Sequence, residues 1–195
     1  MEEYVTNAMV LKKESSGEYD GRYVLFTERF GKIFAKAKSS RLITSKLAGH
    51  LEPGIMAKVR FIDKGSAQIV DALKSFRTDI SSEDLNLLSD LLPDMQADPE
   101  LWSLLAQQPF SWGDILRTLG WDPQDARCAL CRKKASRFFI PRQEFFCDAC
   151  VSKMGKSKLS YIRVNTLVIP AKAGIQEEKD GSPPELAPYA DTGRG

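Results

Sequence analysis

Apolar and polar positions along the first 75 or so residues alternate in short bursts separated by turn residues, which is the rhythm of strands rather than helices. Tyr4 to Leu11 is strand-like, and Arg22 to Thr27 forms a second strand around Tyr23, Val24, Leu25 and Phe26. A third, Lys32 to Ala37, follows the turn Arg29-Phe30-Gly31. Met56 to Asp63 and Ala67 to Ala72 complete the set across the turn Asp63-Lys64-Gly65-Ser66. Five short strands with a longer connection between the third and fourth suit a small closed barrel of the OB type, and a Greek-key SH3-like barrel satisfies the pattern nearly as well.

After Phe76 the period lengthens to that of helices. Ser81-Ser82-Glu83-Asp84 caps a segment carrying Leu85, Leu87, Leu88, Leu91 and Leu92, which Pro93 ends. Asp98 caps a second, with Pro99 in its first turn and Leu101, Trp102, Leu104 and Leu105 along it. A third runs from about Ser111 to Leu119 and stops at Gly120. The Leu and Trp stripes read as core, and the acids around them as a solvated face.

Four cysteines then change the picture. Cys128, Cys131, Cys147 and Cys150 follow the spacing C-x2-C-x15-C-x2-C, in which each C-x-x-C offers two sulfurs to one metal. The insert is long enough for a turn and a return strand, with Phe138-Phe139-Ile140 facing Phe145-Phe146. Structural zinc is the expected occupant, one ion per chain, and two disulfides or a redox pair are the alternatives. Four thiolates close a tetrahedron and leave no position for an activated water, so the metal's role is mechanical. Arg127, Arg132, Lys133, Lys134, Arg137 and Arg142 surround it without an acid between Ala126 and Gln143; they either balance the cluster's negative charge or reach nucleic-acid phosphates.

Charge divides the chain, although the net value is only +2. Arg29, Lys32, Lys36, Lys38, Arg41 and Lys46 fall in an acid-free run from Arg29 to Leu51, whereas Asp71 to Glu100 holds eight acids against Lys74 and Arg77. Those six cations are the candidate DNA contacts: a basic connection on a barrel tracks a phosphate backbone by counterion release while exposed aromatics stack on unpaired bases. Tyr23, Phe30 and Phe34 are assigned to the barrel core rather than to stacking. His50 has no Ser, Cys or Asp partner pattern that would make it catalytic, and it reads as a structural or surface residue. The chain has neither a G-x-x-x-x-G-K-[ST] loop nor an H-E-x-x-H helix, so no enzyme chemistry is expected. With 195 residues, 43% of them hydrophobic and 28% charged, without a membrane-length apolar run or a signal-peptide-like start, a cytoplasmic globular protein is expected.

Several stretches carry a family resemblance. Ala8-Met9-Val10-Leu11, the run from Tyr23 to Ile33 (YVLFTERFGKI), Ala35-Lys36-Ala37-Lys38 and Ser45 to Pro53 (SKLAGHLEP) resemble the N-terminal domain of the RecO family of DNA repair proteins. Leu119-Gly120-Trp121 leading into Cys128-Ala129-Leu130-Cys131 is similar to the family's second domain, so the resemblance covers roughly residues 1–160. It implies an α+β multidomain chain: an N-terminal OB-fold β-barrel that binds nucleic acid (1–76), then a helical domain with a four-cysteine zinc knuckle (77–166, knuckle 128–150). It further implies a bacterial recombination mediator without enzymatic activity. Such a protein binds single- and double-stranded DNA, anneals complementary strands, and works with RecR and the single-stranded DNA-binding protein so that RecA can load. A zinc-ribbon protein-interaction module with little DNA affinity is the alternative.

The chain departs from that pattern at its C-terminal end. Only Val151 to about Val164 is available to continue the helices after the second cysteine pair. Residues 167–195, with Pro183-Pro184, Pro188 and four glycines from Gly174 on, are expected to be a disordered tail whose start resembles a translated genomic repeat. Binding to the single-stranded DNA-binding protein is therefore expected to be weakened.

Overall fold

A computed structural model of the chain describes residues 2–16, 18–40, 42, 44–107, 109–154 and 161–164. The expected tail and Arg41 lie outside them. Five strands, β1 (Glu2–Ser16), β2 (Asp20–Thr27), β3 (Gly31–Ala37), β4 (Ile55–Asp63) and β5 (Ala67–Arg77), close into a barrel in the order β1-β2-β3-β5-β4. Pairing of β1 with β4 completes the ring, from Glu2 opposite Asp63 to Met9 opposite Met56. All neighbours are antiparallel except β3 and β5, a short parallel seam that pairs Ala35 with Ala67, Lys36 with Gln68 and Ala37 with Ile69.

Two runs without alternation, Ala8 to Leu11 and Tyr23 to Phe26, explain how the helices attach. A strand buried on both faces is apolar at every position. Ala8, Val10, Tyr23 and Leu25 fill the barrel with Ile33, Leu51, Ile55 and Val59. Met9, Leu11, Val24 and Phe26 point outward and pack beneath Leu85, Leu88 and Leu92 of α1 (Ser82–Leu91 and its cap), Leu101 and Leu105 of α2 (Pro99–Ala106), and Ile115 of α3 (Trp112–Thr118). The helix caps stand where the sequence places them: Ser81, Asp98 and Ser111 accept from the backbone N–H groups of Asp84, Leu101 and Asp114.

The opposite face of α1 carries Leu87 and Leu91. With Leu116 they meet Phe138, Ile162 and Val164, so α1 lies between the barrel and a small three-stranded sheet. That sheet has β6 (Arg137–Phe139) at its centre, β7 (Glu144–Phe146) on one side and β8 (Tyr161–Arg163) on the other. The expected helical continuation to Val164 is therefore corrected. Helix α4 (Asp148–Met154) is short, and Tyr161-Ile162-Arg163 is a strand antiparallel to β6. Its alternation satisfies the open edge of β6 while burying Tyr161 and Ile162 on opposite faces.

One loop straps the helices to the barrel. Residues 93–97, between α1 and α2, run beside the start of β3, where the Met95 N–H donates to the Lys32 carbonyl at 2.9 Å. Among the described residues, no helix is long and apolar enough to cross a membrane.

Candidate metal centre and nucleic-acid face

The two C-x-x-C turns converge. Ligand atoms of Cys128, Cys131, Cys147 and Cys150 all lie within 4.8 Å of one another, and none is in a disulfide. The first turn is held by the Cys128 N–H to the Lys133 carbonyl (2.8 Å) and by the Arg132 N–H back to the Cys128 carbonyl (2.9 Å). Arg132 closes it in the left-handed region (φ 62°). The second turn opens α4, with Cys150 and Val151 both donating to the Cys147 carbonyl at 3.1 Å. Phe139, Phe146 and Tyr161 pack beneath the sulfurs, Phe139 stacking on Tyr161 at 4.7 Å.

The sulfurs are electronically arranged for a cation. Burial pushes the Cys128 thiol up, but N–H groups of Cys147, Cys131 and Leu130 and the Cys131 thiol outweigh it and bring the group down to about 6. Cys150, donating to the Cys131 and Cys147 sulfurs, is pushed up to about 12. Four adjacent thiolates repel one another, and a divalent ion at their centre would supply the balancing charge. The donor set therefore fits a thiophilic metal in a closed tetrahedral site. Around it, Ser136 Oγ (2.7 Å) and Arg137 Nε hydrogen-bond to Asp148 and hold its carboxyl below the usual range. Arg137 is thus engaged, whereas Arg127, Arg132, Lys133, Lys134 and Arg142 are exposed or nearly so.

Of the six candidate DNA contacts, the five that are described do not form one patch. Lys36 and Lys38 are exposed at the end of β3, Lys46 is exposed in the β3–β4 connection, and Arg29 is exposed at the far end of β3, its guanidinium 5.3 Å from the Phe30 ring. Lys32 is the correction. It is buried, donates to the Ser89 carbonyl at 2.8 Å and pairs with Asp94 at 2.9 Å. The last carbonyls of a helix lack intrahelical partners, and α1 has no basic residue in its last turn, so the barrel lends it this ammonium. Lys32→Met is expected to destabilise the fold by about 1–3 kcal/mol, read from denaturant unfolding, because it orphans a buried carbonyl.

Two residues join the face that sequence alone did not assign to it. Arg22 stands directly opposite Lys36 across the β2–β3 ladder, in the row Glu14, Arg22, Lys36, Gln68. Like charges directly opposite repel, and Glu14 on the other side of Arg22 supplies an opposite charge within the row. Phe34 is not core: it is 52% exposed, while Tyr23 is fully buried and Phe30 packs on Tyr4 and Phe61. The structural reading of His50 agrees with its Nδ1 accepting from the Lys74 N–H at 3.1 Å.

Barrel, helices and four-cysteine knuckle together define a class, a β-barrel module carrying a four-cysteine appendage across a shared helical layer. Residues 1–76 match the family model described as Recombination protein O N terminal. Three proteins named DNA repair protein RecO are similar to the chain. That of Thermodesulfovibrio yellowstonii is 26% identical over 88% of this chain and 77% of its own length. That of Dehalococcoides mccartyi is 28% identical over 68% and 62%, and that of Myxococcus xanthus 32% identical over 54% and 48%. The similarity to the RecO N-terminal domain thus covers the first 76 residues, and the chain spans between about half and three quarters of the lengths of these relatives.

Proposed function

We propose that this protein acts in DNA repair and homologous recombination as a mediator: it binds single- and double-stranded DNA, anneals complementary strands, and assists RecA loading together with RecR and the single-stranded DNA-binding protein. The observation that carries this reading is the coincidence of the RecO N-terminal match with the whole closed barrel, whose strand order and parallel β3–β5 seam support an OB-fold reading. Residues 77–166 form the second unit, stapled by one structural zinc on Cys128, Cys131, Cys147 and Cys150. The protein works by holding strands rather than by making or breaking bonds.

Phosphates are taken by Arg22, Lys36 and Lys38 where β2 begins and β3 ends, with Lys46 on the adjoining connection and Arg29 at the other end of β3; Arg41, outside the described residues, stays in the set on its sequence alone. Lys32 leaves the set because its charge is spent inside the fold. Replacing Arg22, Lys36 and Lys38 together by Ala is expected to weaken binding to all sequences. The single-strand salt slope should flatten by about 0.7 for each phosphate that no longer meets a cation. Titration of labelled single strands at several salt concentrations measures both. Binding that is absent or independent of salt in the unmodified chain sinks the reading and favours a protein-interaction module.

A further inference from the structure

A cavity of about 440 Å³ opens beside the β3–β5 seam, between the first half of β3, the β4–β5 turn and the strap loop. The parallel pairing begins only at Ala35, so β3 parts from β5 below that point and leaves a mouth in the barrel wall. Tyr4, Phe30 and Phe61 make its floor, packed on one another at ring separations of 5.0 to 5.6 Å. Phe34 and Met95 stand at its rim, 52% and 68% exposed. Met95 is held there in the left-handed region (φ 56°) by its N–H bond to the Lys32 carbonyl, and the Lys32 ammonium lies 5.9 Å from the Phe34 ring.

Charge selects the occupant. No cation lines the cavity, and its one charged wall residue is Asp63, whose Oδ1 accepts from the Gly65 N–H at 2.9 Å. A phosphate or an acidic peptide is repelled there. Cations instead bracket the mouth along β3: Arg29 lies over Phe30 at one end, and Lys36 follows Phe34 by two residues, roughly 7 Å along the strand, at the other. An aromatic, cation-free cavity between two cations matches one unpaired nucleotide of a strand, with the backbone outside and the base inside. Its volume falls within the ~300–1,000 Å³ of small-molecule pockets.

We infer that this cavity is a nucleobase pocket: an unpaired base of a single strand stacks against Phe34 and seats over Phe30 and Phe61, and the pocket tells single strands, whose bases are free, from duplex. The inference rests on the DNA-binding reading above and adds a base-dependent component to the phosphate contacts. Stacking on an aromatic ring tolerates any base.

The test compares the full-length chain's binding to a fluorescently labelled oligothymidine with its binding to an abasic strand of equal length, across a salt series. Oligothymidine is expected to bind at least about fivefold more tightly, the lower end of what one stacked base contributes, with the same salt slope for both strands. Phe34→Ala and, separately, Met95→Ala should bring oligothymidine down towards the abasic affinity while leaving abasic binding unchanged; Phe34→Trp should restore the preference. Both side chains are largely exposed, so the fold survives their loss. Equal affinity for the two strands in the unmodified protein overturns the base pocket while leaving the phosphate contacts standing. Failure of both strands to bind overturns the DNA-binding reading and the pocket with it.

Discussion

Stripping the metal from the four cysteines is expected to unfold the knuckle and leave the barrel standing. The small sheet β6, β7 and β8 has three-residue strands, and its inner side is little more than Phe139, Phe146 and Tyr161 around the sulfurs. The other face rests on α1 through Phe138 and Ile162, but the metal side has too few buried side chains to order the cysteine turns by itself. A structural zinc contributes about 10–16 kcal/mol of apparent binding free energy, and in small sites most of that is folding free energy. Without the ion, hydrogen bonds to the Cys131 and Cys147 sulfurs push the Cys150 thiol up, so the four sulfurs resist full ionisation. The barrel, by contrast, has its own core of aliphatic and aromatic side chains closed by a complete ring of strands. Chelation, or Cys147→Ser, should therefore remove amide protection from Ala135, Ser136 and Ala129, which donate to Ala126, Phe146 and Phe145, while strand amides of β1 to β5 stay protected. Hydrogen exchange followed residue by residue separates the two, and metal analysis of the reduced protein should return one zinc per chain. Knuckle amides equally protected in metal-free protein would show that packing alone holds the segment.

Local chemistry makes much of this architecture legible. Caps, turns and apolar runs act over a few residues, so Ser81, Asp98 and Ser111 announce their helices without reference to any distant neighbour, and the cysteine spacing states its own geometry. Lys32 and Phe34 defeat the local pattern for a common reason. Both point outward from β3, and alternation cannot say how far the helical layer extends over that outward face. It reaches Lys32, through Ser89 and Asp94, and stops before Phe34. The average behaviour of a cation thus predicts exposure where there is burial, and that of an aromatic predicts burial where there is exposure. Strand β8 escapes because its partner, β6, lies more than twenty residues away, beyond any local pattern. Arg22 is legible as a cation but not as the neighbour of Lys36, since that pairing depends on the hairpin register.

Replacing Gly31 by Ala is expected to break the joint between barrel and helices. Gly31 opens β3 with φ at +68°, which costs a residue bearing a Cβ about 1–2 kcal/mol. The larger effect is steric. An added Cβ would stand 1.9 Å from the Gln96 carbonyl oxygen and 2.3 Å from its carbon, both backbone atoms that cannot rotate away. The strap loop must lift. Lifting it stretches the Met95 N–H bond to the Lys32 carbonyl and the Lys32–Asp94 pair, so the charge that caps α1 loses its anchor as well. Together these amount to roughly 2–4 kcal/mol, a fall in melting temperature of about 5–15 °C for a chain of this size. Gly65→Ala is the control. Its φ of +81° imposes a similar conformational cost, yet nothing lies within 4 Å of the added carbon, so only the smaller loss is expected. Thermal unfolding of the two variants side by side isolates the clash with Gln96. Equal losses would mean that the strap gives way freely and that the apolar layer of Met9, Phe26, Leu88 and Leu101 holds the helices to the barrel without it.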